Sequence, residues 1–120
     1  MSEPVTIYVC TKCRAAGEAS EPLDGRSGAR LHRAVLDAGQ GAPDIAVRAV
    51  ECLSVCKRPV TVGFRAEGKW TYVYGDFAPE AAADLIACAR AFGAAPDGLI
   101  PWKDRPDALK KGVVARLPPV

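Results

Sequence analysis

The 120-residue sequence has a single histidine, His32, and a single methionine. No stretch approaches 18 uninterrupted apolar residues, so no membrane-crossing helix is expected. Met1-Ser2-Glu3-Pro4 lacks the basic start and apolar run of a secretion signal, which leads to the expectation of a cytoplasmic protein. Neither sign of charge dominates: 16 Lys and Arg against 14 Asp and Glu leave a formal net charge of +2. Without a long basic run, nucleic acid and anionic membrane have little claim as partners. No glycine-rich phosphate loop follows a strand-like segment, no GxSxG elbow exists, and no spaced carboxylate pair stands out as acid and base. Hydrolase and kinase chemistry therefore have no residues to rest on, and a non-enzyme is expected.

What is present is enough for a folded domain. Hydrophobic residues make up 49% of the chain, and at this length folding buries roughly two-thirds of the surface that the unfolded chain exposes. One domain is expected over residues 1–96, with the Pro-, Lys- and Arg-rich residues 97–120 as an irregular extension of it.

Pro4 to Val9 is short, β-branched and aromatic, and reads as a strand running into Cys10-Thr11-Lys12-Cys13. A loop with no period follows. Leu31, Ala34, Val35 and Ala38 then recur at helical spacing up to the glycines Gly39 and Gly41. Ile45 to Val50 is again strand-like and leads into Cys52 and Cys56. Val60 to Arg65 and Trp70 to Gly75, separated by Ala66-Glu67-Gly68-Lys69, read as an antiparallel hairpin. Pro79-Glu80 suits the first turn of a second helix, which is expected to run to about Phe92 and stop at Gly93. A short helical turn near Pro106 to Lys111 is the only element expected in the tail. The order β, α, β, β, β, α, with a hairpin after a βαβ half, is the thioredoxin-like α/β order on a mixed four-stranded sheet.

Cysteine carries the chemical signal. Five stand at 10, 13, 52, 56 and 88, an odd number, so a disulfide framework is not expected in a chain with no export signal. Four come as two close pairs with 38 residues between them, each at a strand end. A [2Fe-2S] cluster takes two thiolates on each iron, and one short pair per iron fits that division. Lys12, Arg14, Lys57 and Arg58 flank the pairs and are placed to offset the negative charge of the unit or to lower thiol pKa values, although loop cations are often only solvated. Zinc in a four-cysteine tetrahedron needs the same ligands, but its sites usually repeat a two-residue spacing, which Cys52 and Cys56 break. Thiol-disulfide exchange is a third reading, since a two-residue cysteine pair at the end of a first strand is where a thioredoxin active site sits. It leaves Cys52 and Cys56 without a task.

The run Glu51-Cys52-Leu53-Ser54-Val55-Cys56-Lys57-Arg58-Pro59, the segment Gly68 to Asp76 (GKWTYVYGD) and the tail Asp97 to Pro106 (DGLIPWKDRP) resemble a family of small bacterial proteins of unknown function, usually described as predicted metal-binding. In cysteine placement that family is similar to the thioredoxin-like [2Fe-2S] ferredoxins, where a first pair follows strand one and a second pair spaced by three precedes a proline and a hairpin. The resemblance covers nearly the whole chain. It implies that Cys10, Cys13, Cys52 and Cys56 are cluster ligands, that the protein is a homodimer, and that it passes single electrons to a redox partner protein. One departure is that the first pair of those ferredoxins is usually spaced more widely than Cys10 and Cys13, which could alter cluster exposure or favour another metal.

The remaining candidates read as structural. Cys88 shares a helical face with Leu85, Ala89 and Phe92 and is expected in the core. His32 lies on the first helix and is expected to be partly buried rather than a ligand. Trp70, Tyr72 and Tyr74 alternate onto one strand face, as core or as a subunit contact. Pro59 stands where thioredoxin-like folds often hold a cis proline, and Trp102 is expected to pin the tail.

Overall fold

In the computed structural model, which describes residues 5–11, 25–40, 44–50, 60–75, 77, 79–100 and 113–118, the first strand, β1, is Val5–Cys10. Its alternation does what β-branched alternation should: Val5, Ile7 and Val9 are buried on one face, while Thr6 and Tyr8 point to the other and are half-buried. Helix α1, Ser27–Ala38, covers the first of those faces with Leu31 and Val35, which lie one turn apart and are both fully buried. It has no side-chain N-cap and ends at Gly39.

Strand β2, Ile45–Val50, runs parallel to β1 in the register Val5 to Ile45 through Cys10 to Val50. Strands β3, Val62–Arg65, and β4, Thr71–Tyr74, form the expected hairpin. β3 pairs antiparallel with β1 on the side away from β2. Ala66 accepts from the Lys69 amide at 3.2 Å and closes the turn. A 3-10 turn at Pro79–Ala81 leads into helix α2, Ala82–Ala94. α1 and α2 touch each other and both pack on β1 and β2, so the two helices form one layer on one face of the sheet. Phe64, Tyr72, Tyr74 and Phe92 interlock between the layers. The Phe64 and Phe92 rings are centred 6.2 Å apart, and Tyr72 meets Phe92 edge-on at 6.3 Å. Tyr72 and Tyr74 are therefore core, and Trp70 packs against that core from its rim.

Two expectations are corrected here. The tail is not irregular throughout: β5, Val113–Leu117, pairs antiparallel with β4 and makes the sheet five-stranded in the order β2-β1-β3-β4-β5. The prolines and lysines around it hide its Val-Val-Ala-Arg-Leu run from a compositional reading. The expected helical turn at 106–111 lies outside the described residues.

Gly93 does not stop the second helix but lies within it, where a Cβ would stand 3.0 Å from Val5 Cγ2. The missing side chain lets α2 lie close on β1. The helix ends instead at Ala94, because Ala95 precedes Pro96 and is forced into the extended region at φ −73° and ψ 130°. Beyond it, Gly98 has φ 81°, and a Cβ there would fall 2.8 Å from the Phe92 ring. Only glycine fits that position. Asp97 accepts from the Trp70 amide at 2.8 Å, its carboxylate accepts from the Leu99 amide at 2.9 Å, and Lys69 Nζ donates to the Ala95 carbonyl. The end of α2 is thus strapped to the β3–β4 turn.

Candidate thiol site at the sheet end

Cys10 is the last residue of β1 and is 2% exposed. Its amide donates to the Thr61 carbonyl at 3.1 Å, and across the parallel pairing it stands opposite Val50. The next residue, Thr11, donates to the Val50 carbonyl from its amide at 2.8 Å and from its hydroxyl at 3.2 Å. On the other side, Val60 and Phe77 exchange two hydrogen bonds of 3.2 Å each and hold the entry to β3. The result follows from the order β2-β1-β3: the chain leaves β2 on one side of Cys10 and re-enters the sheet on its other side. Cys52 is two residues beyond Val50 and Cys56 four residues before Val60, so both sequence pairs are attached to the same end of the sheet. Thr61, fully buried beside Cys10, is a site neighbour that the sequence reading did not single out. Its polar side chain in an otherwise apolar Val60 to Phe64 run was the available signal.

The expectation of a four-thiolate site is corrected by the donor set. Among the described residues no group of three or more His, Cys, Asp and Glu could hold a metal ion. Of Cys10, Cys13, Cys52 and Cys56, only Cys10 is described, and one buried sulfur supplies a single donor where [2Fe-2S] or zinc needs four. The described residues therefore fit neither the iron-sulfur cluster nor the zinc alternative, and single-electron transfer through a cluster loses its basis with them. Cys13, Cys52 and Cys56, the flanking cations Lys12, Arg14, Lys57 and Arg58, the bond before Pro59, and Trp102 all lie outside the described residues.

The other two titratable candidates are where the sequence put them. Cys88 is fully buried on α2 with Leu85, Ala89 and Phe92. Burial pushes its thiol up to about 12, with Asp84 one turn earlier acting in the same direction, so it is protonated at neutral pH and inert as a nucleophile. His32 is half-buried on α1, and its pKa is lowered from 6.5 by that burial and by the neighbouring Arg33. No helix among the described residues is long and apolar enough to cross a membrane.

A mixed sheet with the parallel pair β1–β2, the antiparallel run β3–β4–β5 and two helices defines a thioredoxin-like α/β protein. Residues 7–119 match the model of DUF1636, a family described as protein of unknown function, and the chain belongs to that family. Solved structures with the same fold include a thioredoxin-like [2Fe-2S] ferredoxin from Aquifex aeolicus. One structure of it superposes with a TM-score of 0.63 at 17% identity, covering 96% of this chain and 94% of that one. A crystal structure of the wild-type ferredoxin gives 0.57 at 15% identity, covering 95% and 99%. At such identities the likeness is one of fold. No curated protein matches the chain.

Proposed function

We propose that this protein is a small thiol carrier, not a catalyst, whose working groups are the cysteines at the carboxyl ends of β1 and β2. It would hold reducing equivalents as a dithiol and release them by forming a disulfide. The observation that supports the reading is the position of Cys10 between Val50 and Thr61, at the sheet end where the chain leaves β2 for the segment 51–59 and enters β3 after it.

The chemistry needs no group beyond the sulfurs and a partner disulfide. The Cys13 thiolate attacks one sulfur of the partner disulfide, a mixed disulfide forms, and the other partner sulfur leaves as a thiolate that takes up a proton. Cys10 then loses its proton and attacks Cys13 in the mixed disulfide. The Cys10–Cys13 bond forms, and the second partner sulfur leaves and is protonated. Two electrons and two protons pass to the partner. The burial of Cys10 suits the resolving role, because a thiol shielded from solvent attacks only a sulfur already joined to its neighbour. Cys52 and Cys56, on the segment that joins β2 to β3 in the chain, would supply a second dithiol able to reduce the first by the same exchange.

The test is to equilibrate the full chain in glutathione buffers of graded potential, block remaining thiols by alkylation and count the adducts by mass. Thiols should disappear in pairs, the Cys10 and Cys13 pair should vanish from the titration in Cys13→Ser, and Cys88→Ser should leave it unchanged. Thiols that oxidise singly or not at all would overturn the proposal. So would iron or zinc held stoichiometrically by these cysteines in the purified protein.

A further inference from the structure

The sheet face turned away from the helices carries Cys10 at one end, and away from that end its composition is unusual. Alternation places Thr6, Tyr8, Arg48, Arg65, Val73 and Leu117 on it. Tyr8 is opposite Arg48 on one side and Gly63 on the other, and Val73 and Ala115 continue the same row across β4 and β5. Tyr8 and Val73 are half-buried, Arg48 and Arg65 are exposed, and Leu117 is 57% exposed.

None of the five strands contains an Asp or a Glu, and their charged residues are all arginines: Arg48, Arg65 and Arg116. Arg116 is committed to the opposite face, with its guanidinium 5.2 Å from the centre of the Trp70 ring. Asp44 and Glu67 stand beyond the strand ends farthest from Cys10, and Asp44 faces Arg90 of α2 at 3.9 Å. Arg48 and Arg65 thus have no carboxylate partner among the described residues. Two strand spacings and a two-residue offset set their backbones roughly 12 Å apart with Tyr8 between them.

A solvated sheet face ordinarily mixes both signs of charge. Arginines that frame a tyrosine and aliphatic side chains are instead the composition of a protein interface. A second copy offering the same face would set a face whose charges, among the described residues, are all arginines against its like, and two arginines are too few for the stripe that nucleic acid requires. We propose that this helix-free face docks a partner protein whose surface carries carboxylates around an apolar centre. Docking on this face requires neither the cysteines nor their chemistry.

The test follows the backbone amide resonances of the full chain during titration with a synthetic peptide of alternating glutamate and leucine. A lysine and leucine peptide, a short DNA duplex and the protein's own dilution series run alongside. Shifts should concentrate at Tyr8, Arg48, Arg65 and Val73. The double variant Arg48→Glu, Arg65→Glu, shown by its thermal melt to be folded, should bind at least about fivefold more weakly, and high salt should do the same to the wild type. Equal binding by the double variant, shifts confined to α1 and α2, or equal shifts with the lysine peptide would overturn the proposal. Stronger shifts on the same residues from DNA or from self-association would also overturn it, by assigning the face to another occupant.

Discussion

The two faces of the sheet follow opposite rules. Under the helices, Val5, Ile7, Val9, Phe64, Tyr72 and Tyr74 are all at most 3% exposed, and the layers sit close enough that a Cβ on Gly93 would come within 3.0 Å of a Val5 methyl. On the other face Thr6, Tyr8, Arg48, Arg65 and Thr71 are none of them fully buried, and the buried side chain there is Cys10, at the sheet end. One face is determined by volume, the other by charge and chemistry. A substitution should therefore be costly on the first face and nearly silent for stability on the second.

The largest break expected is Phe92→Ala, which removes the ring shared by Phe64 and Tyr72 and leaves a cavity between the layers. It should lower the unfolding free energy by about 3 to 5 kcal/mol, read as a shift in the urea midpoint. Gly98→Ala comes next: it combines a strained backbone with an approach to Phe92 that must be relieved, and should cost about 1 to 3 kcal/mol by the same measurement. Arg48→Ala, on the open face, should stay within about 0.5 kcal/mol of wild type. If it destabilised the protein as much as the core substitutions, the contrast between the faces would be wrong.

Titration sharpens the contrast further. Cys88, in the helix layer with its thiol pushed up to about 12, should resist iodoacetamide at pH 8 in the folded protein and react once urea exposes it. The smallest effect concerns His32. Its folded-state pKa lies below the unfolded value of 6.5, so the unfolded chain binds the proton more readily. Stability should be highest above pH 6.5, decline as pH falls from there through the folded-state pKa, and then level off. His32→Gln should remove that step from a series of urea midpoints against pH.

The parts of the fold that were legible in the sequence are those where a local pattern and the tertiary outcome agree. Val5 to Val9 alternates, Leu85, Cys88, Ala89 and Phe92 share a helical stripe, and the Gly68 turn lies between two β-rich runs; each forms the element its pattern predicts. Gly93 shows the limit. A glycine near a helix end is read as a terminator, but here its meaning depends on Val5, which is far away in sequence, and the actual terminator is Pro96 acting through Ala95. β5 was hidden by its Pro- and Lys-rich surroundings.

At the site, the cysteine spacing and the strand ends are legible from residue order alone. It could not give the order β2-β1-β3, which is what places Cys10 between the two ends of the segment carrying Cys52 and Cys56. The metal reading went wrong at the same step. Spacing counts potential ligands along the chain, whereas a metal needs donors converging in space, and among the described residues no such group forms.

The strap at the end of α2 has a consequence for how the molecule opens. Trp70 bonds to Asp97, Lys69 to Ala95, and Arg116 of β5 lies over the Trp70 ring, so the hairpin, the last turn of α2 and the edge strand hold one another through a few shared residues. Elements joined in this way exchange their amide hydrogens as one cooperative unit. The amides of Trp70 and Gly98 should then show matching protection and lose it together in dilute denaturant, even though one belongs to the β3–β4 hairpin and the other to the turn after α2.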